Sequence, residues 1–188
     1  MPAMDTVAPS ARERILATAR LLFYRDGVRA TGVDKLIAES GVAKLTFYRH
    51  FPAKDELVRA FLADRHERWM AWFVDALGRH GAGTGRGLPA LADALAEWFH
   101  DPAYRGCAFI NSVAELGDAL PDTVAIAQRH KQDMTQVIAE LLPAGPQRMA
   151  LAEAAALAVD GAIVQAQVHG AAPAATGLRR VLAALVAG

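Results

Sequence analysis

The 188-residue sequence predicts an all-α protein of about nine helices, and three observations carry that prediction. Apolar residues recur at three- and four-residue spacing in one segment after another. Glycine or proline punctuates each later join, as at Pro102, Gly106, Pro121, Pro143, Gly145 and Pro173. No segment shows the strict alternation of a half-buried strand, or a hairpin dipeptide between two apolar runs. Composition agrees: 53% hydrophobic, 21% charged and only 7% aromatic residues describe a folded chain that favours helix over sheet.

Residues 1–9 read as a mobile arm. Ser10 is a good N-cap for a first helix that runs to about Asp26 and stops at Gly27, with Ile15, Ala19, Leu22 and Phe23 on its inner face. A short second helix, Val33 to Ser40, is expected to be capped by Thr31 and ended by Gly41. A third, Lys44 to His50, is followed by Pro52. The fourth starts near Ala53, carries Leu57, Phe61, Trp69, Trp72, Phe73 and Leu77 inward, and ends before Gly81. Residues 81–87, GAGTGRG, follow a helix rather than a strand. Their spacing fits neither a dinucleotide-binding nor a Walker-type loop, so they read as a linker. Five further helices are expected over 88–100, 107–116, 122–142, 146–170 and 174–186.

The bulk numbers exclude several classes of function. Formal net charge is zero, yet residues 10–58 hold nine Lys/Arg against six Asp/Glu, whereas residues 59–188 hold eleven against thirteen. A slightly cationic head on a slightly anionic body suits a polyanion partner at one end. Cys107 is the only cysteine, so no intramolecular disulfide forms; it reads as a buried thiol, with a redox-sensing role as the alternative. The N-terminus lacks the basic and apolar regions of a signal peptide. The Ala-rich stretch 151–172 is interrupted by Asp160, Gln165, Gln167 and His169, so no membrane partner and a cytoplasmic location are expected. The six histidines show no metal-ligand spacing, and no nucleophile–base motif is visible. No metal, no cofactor and no enzymatic activity are therefore expected, Cys107 and His130 being the groups an enzyme would have to use.

The informative segment is Thr31 to Leu57, TGVDKLIAESGVAKLTFYRHFPAKDEL. Two short helices flank Gly41–Val42, where glycine permits a sharp reversal. Leu36, Ile37, Val42 and Phe47 are spaced to fill the angle between them. Lys44, Leu45, Thr46, Tyr48 and His50 remain outside, on a helix whose N-terminal end would meet the major groove of double-stranded DNA. Helix starts near Thr31 and Lys54 are natural phosphate seats. Lys44 and Thr46 are the better candidates for base edges.

GVAKLTFYRHFPAKDEL closely resembles the DNA-binding signature of the TetR (tetracycline-repressor) family: a turn glycine, an aromatic-x-His-Phe string, then Lys-x-x-Leu opening the next helix. The likeness covers roughly Arg12 to Leu62. It implies that Thr31, Lys44, Leu45, Thr46, Tyr48, His50 and Lys54 contact operator DNA. Lys44-Leu45 replaces the Gly or Pro often found there. The division expected is an arm over 1–9, a helix-turn-helix DNA-binding domain over 10–53, and a helical ligand-binding and dimerisation body over 54–188.

In the body, Leu151, Ala155, Ala158 and Ala162 offer a small-residue surface, and Leu178, Val181, Leu182 and Leu185 an apolar stripe. Together they suit the four-helix interface of a homodimer, which the resemblance also implies. A pocket for a small-molecule effector is expected among Trp69, Trp72, Phe73, Trp98, Phe109, Asn111, His130 and Gln165, mostly apolar with sparse polar groups. The reading is a DNA-binding regulator, a repressor released by its effector. The alternatives are an activator, or a nucleoid-associated binder without an effector.

Overall fold

Nine α-helices and one 3-10 turn, with no strand, make up the regular structure of residues 8–187, the part of the chain that the computed structural model describes. The expected arm therefore lies outside the described residues except for Ala8 and Pro9.

α1 (Ala11–Asp26) begins where the sequence suggests. The Ser10 hydroxyl accepts from the Glu13 amide while the Glu13 carboxylate accepts from the Ser10 amide, which satisfies two otherwise orphaned donors. Its inner face, Ile15, Ala19, Leu22 and Phe23, is buried as the spacing predicts. α2 (Val33–Ser40) and α3 (Lys44–His50) pack against it. α4 (Lys54–Arg79) lies against α1 and then runs on to contact α5 (Leu88–Phe99), α6 (Ala108–Leu116) and α7 (Asp122–Glu140). The glycine-rich segment holds the short 3-10 turn Ala82–Thr84, bounded by Gly81 and Gly85 at positive φ.

α8 (Arg148–His169) and α9 (Ala171–Ala187) are joined by Gly170 alone, at φ +87°, and fold back on one another; α8 also packs on α7, and α9 on α5. Pro173, expected at a join, lies inside the first turn of α9, where its missing amide proton is one the helix could not have used. By length and composition α8 is apolar enough to cross a membrane. Here its inner face, including Ala155, Val159 and Ile163, is buried against the other helices.

One hydrophobic core runs from Ile15 in α1 to Leu182 in α9. Polar contacts also tie the first three helices to the rest. The Tyr24 hydroxyl donates to the Gly106 carbonyl (2.9 Å) and accepts from the Arg105 amide (3.0 Å). Glu115, near the end of α6, accepts from the Arg29 amide (2.8 Å), and Arg20 pairs with Asp64 of α4 (2.9 Å).

Candidate nucleic-acid interface and aromatic cavity

The α2–α3 corner is built on a buried wedge. Gly41 takes the left-handed conformation (φ +64°, ψ 30°), and Leu36, Val42 and Phe47 fill the angle beneath it, with Ile37 half-buried. Phe47 sits edge-on to Tyr48 and tilted against Phe51, so its ring fixes the rotation of α3. Because Phe47 and Phe51 point inward four residues apart, Leu45 and Arg49 take the opposite face, and Tyr48 and Lys44, at the flank and the start of the helix, are exposed beside them. Leu45 is 72% exposed, a large apolar side chain in water, and Tyr48 is 41% exposed. Thr46 is half-buried and His50 exposed at the far end. Lys44 stands 4.0 Å from Asp34, both well exposed, a pair that is worth little and leaves the ammonium available. Arg49 did not stand out in the sequence, yet it lies beside Leu45 on the same exposed face. Its position four residues after Leu45 was the available signal.

Two expected phosphate-contacting side chains turn inward in this structure. Thr31 is wholly buried, and its hydroxyl donates to the Gly27 carbonyl (2.7 Å). The N-cap of α2 is Gly32, with no side-chain cap, so Thr31 serves the loop rather than the surface. The Lys54 ammonium turns inward to donate to the Val28 carbonyl (2.5 Å), beside the Phe23 ring, and burial holds its pKa below the usual lysine value. It fastens α4 to the loop after α1.

In the body, Trp69, Trp98, Phe109 and His130 surround one cavity of about 10 Å³, room for about one water molecule. Trp69 lies stacked on Phe73 (4.7 Å between centroids) and edge-on to Trp98 (5.6 Å) and His130 (5.1 Å). The His130 ring stacks on Phe109 at 3.7 Å, and its Nδ1 is 3.2 Å from Nδ1 of His66. Burial, with the nearby charges of Lys131, His66 and Arg65, pushes the His130 pKa down to about 3, so the ring is neutral at pH 7. Phe73 is buried behind Trp69, and Trp72 is half-buried at the edge of the cluster.

Asn111 and Gln165 are not brought to this cavity. Asn111 Nδ2 donates to the Arg105 carbonyl, and Gln165 faces a separate groove between α8 and α9. The sequence pattern missed Arg65, Cys107, Lys131 and Met134, which also line the cavity. They come from α4, α7 and the start of α6, elements far apart in sequence. Cys107 is buried.

The residues expected at a dimer surface divide between interior and surface. Ala155, Ala162, Leu178 and Leu182 are buried within the single chain; Leu151, Ala158 and Leu185 are half-buried, and Val181 is exposed. Besides Val181, further exposed apolar positions lie on α8. Leu157 (76% exposed), Val164 and Val168 lie with Gly161 along the outer face of α8. Between that helix and α9 runs a groove of about 460 Å³ floored by Gly161, Gly177 and Val181.

Residues 15–61 match the family described as bacterial regulatory proteins, tetR family. The chain is 23% identical to the HTH-type transcriptional regulator UidR of Escherichia coli over 141 residues, covering 74% of this chain and 68% of that one. Among solved structures, a TetR-family transcriptional regulator from Streptomyces coelicolor superimposes with a TM-score of 0.78 at 28% identity, covering 93% of this chain and 95% of the other. The multidrug binding protein EbrR, in complex with malachite green, has the same fold (TM-score 0.73, 20% identity, 94% of this chain and 98% of that one).

Proposed function

The chain belongs to the TetR family of DNA-binding transcriptional regulators, and from that premise we propose that it is a cytoplasmic repressor, dimeric on its operator and released from it by a small molecule. The observation that carries the DNA-binding part is the outer face of α3. Lys44, Leu45, Tyr48 and Arg49 stand together on a helix whose rotation is fixed by the buried Phe47 ring. Lys44 and Arg49 supply donors for base edges and phosphates, and Leu45 and Tyr48 supply apolar contact with a thymine methyl or a sugar. With Thr31 and Lys54 turned inward, the phosphate seat at the start of α2 rests on its free backbone amides beside exposed Gly32.

Dimerisation is supported by the outer face of α8. Leu157, Val164 and Val168 form an apolar stripe at helical spacing, of the kind a soluble chain covers with a partner. Two copies would set two α3 helices in successive major grooves.

The effector reading draws on the aromatic cavity and on one short segment, residues 105–109. At one end it holds Tyr24 of α1 through Arg105 and Gly106; at the other, Phe109 stacks on His130. A molecule that displaces Phe109 therefore also disturbs the link to α1. If it binds better to a state in which the two α3 helices no longer match the groove spacing, it lowers operator affinity by its differential affinity, typically about 5- to 150-fold. The small-molecule complex of the similarly folded EbrR is consistent with such a site.

Footprinting on the DNA that flanks the chain's own gene tests the reading. One short, near-palindromic protected site is expected, and Lys44→Ala or Tyr48→Ala should each weaken it about tenfold or more while leaving the dimer mass unchanged. Sequence-indifferent protection with a steep salt slope, unaffected by both substitutions, would sink it.

A further inference from the structure

Trp69 Nε1 is a buried side-chain donor without a hydrogen-bond partner among the described residues. An indole N–H enclosed without an acceptor has given up its bond to water and gained none in return, so a donor left in this state is an unusual feature of a packed core. The Trp69 residue is 6% exposed and lines the cavity, and the rings around it offer faces and edges rather than an oxygen. Phe109, Trp98 and His130 complete a closed aromatic box around it.

The charged side chains at the cavity wall are Arg65 and Lys131, with no carboxylate among the lining residues. Arg65 lies over the Tyr24 ring, its Cζ 4.2 Å from the centroid, and Lys131 is held by Asp160. A ligand cation entering here would meet the positive charge of Arg65, whereas an oxygen acceptor would meet an idle donor and that guanidinium. A cavity of about 10 Å³ is a closed state, and a two-ring molecule must part Phe109 from His130 to enter.

We propose that this box binds a planar aromatic compound bearing an oxygen acceptor, carboxylate or phenolate rather than a cation, with Trp69 Nε1 donating to that oxygen. The proposal rests on the effector reading above and names the class of effector. Arg65 adds charge complementarity from α4, and the aromatic rings supply stacking beyond burial alone. Met134 and Ile163 close the apolar wall.

The test is calorimetric titration of the protein with 2-naphthoate, with the cationic dye malachite green as the opposing probe. Binding of 2-naphthoate is expected to weaken about tenfold or more in Trp69→Phe, which keeps the ring and loses the donor, with the thermal midpoint checking that the variant folds. Arg65→Gln should weaken it further, without altering the response to an uncharged probe such as 2-acetylnaphthalene. Equal affinity of Trp69→Phe and the parent chain, no binding of 2-naphthoate up to millimolar concentration, or tight binding of malachite green alone would each overturn the proposal. Gel shifts with the same probes separate it from the effector reading. Trp69-dependent binding that leaves operator affinity unchanged supports the site and ends the effector reading. Operator release by malachite green, indifferent to Trp69→Phe, does the reverse.

Discussion

The outer face of α3 and the aromatic box in the body solve opposite problems with similar side chains. On α3, Tyr48 and Leu45 stand in water, held by one buried ring beneath them. In the body, Trp69, Phe109 and His130 are enclosed, and what each can do depends on neighbours from three other helices. The first region is a surface set by local periodicity. The second is a chamber set by packing, and residues 105–109 connect it to α1.

The largest effect should come from Phe47→Ala, which removes a wholly buried ring from the α2–α3 corner and costs about 3–5 kcal/mol. If the two regions are separable, operator binding is lost in urea well before the near-UV tryptophan signal of the body. Coincident loss of both signals would break the comparison.

Next comes a pH effect confined to the box. The His130 pKa is about 3 in the folded chain and about 6.5 when unfolded. Between those values the unfolded state binds more protons, so stability is full above about pH 6.5 and falls as pH drops towards 3. Lys131, His66 and Arg65 lie close enough to act on the same ring. His130→Phe should flatten this part of a urea-midpoint profile between pH 4 and 7; an unchanged slope would assign it to other groups.

Tyr24→Phe probes the connection itself. It deletes both hydrogen bonds to Arg105 and Gly106, with an expected loss of about 1–2 kcal/mol and a weaker effect of any body ligand on operator affinity. Full coupling in this variant would show that the signal travels elsewhere, Glu115 and Arg29 being the next link. The smallest effect is Ser10→Ala, about 0.5–1 kcal/mol from the lost cap of α1, read as a small fall in thermal midpoint with operator affinity per folded chain unchanged.

The helices were legible because their signals are local. Ser10 and Gly27 bound α1, and Gly41 ends α2 at the residue expected. The inward face of α1 and the Phe47–Phe51 pair follow from spacing alone. The direction of Thr31 and Lys54 was not legible because both sit at helix starts, where a polar side chain can turn outward to a phosphate or inward to a carbonyl. The backbone of the loop after α1 took both, at Gly27 and Val28. The dimer stripe is hard to place for a related reason. α8 is apolar on nearly every side, so periodicity cannot say which side faces its own chain and which faces outward.

The sequence by itself determined the all-α fold, the helix-turn-helix and which side of α3 faces outward, because each depends on residues within one or two turns of one another. Only the tertiary structure decided that Trp69 lacks an acceptor, that Asn111 and Gln165 stand apart from the cavity, and that Ala155, Ala162, Leu178 and Leu182 are spent within one chain. Those facts depend on which distant helix occupies each face, and burial and hydrogen-bond satisfaction are properties of that meeting rather than of any segment.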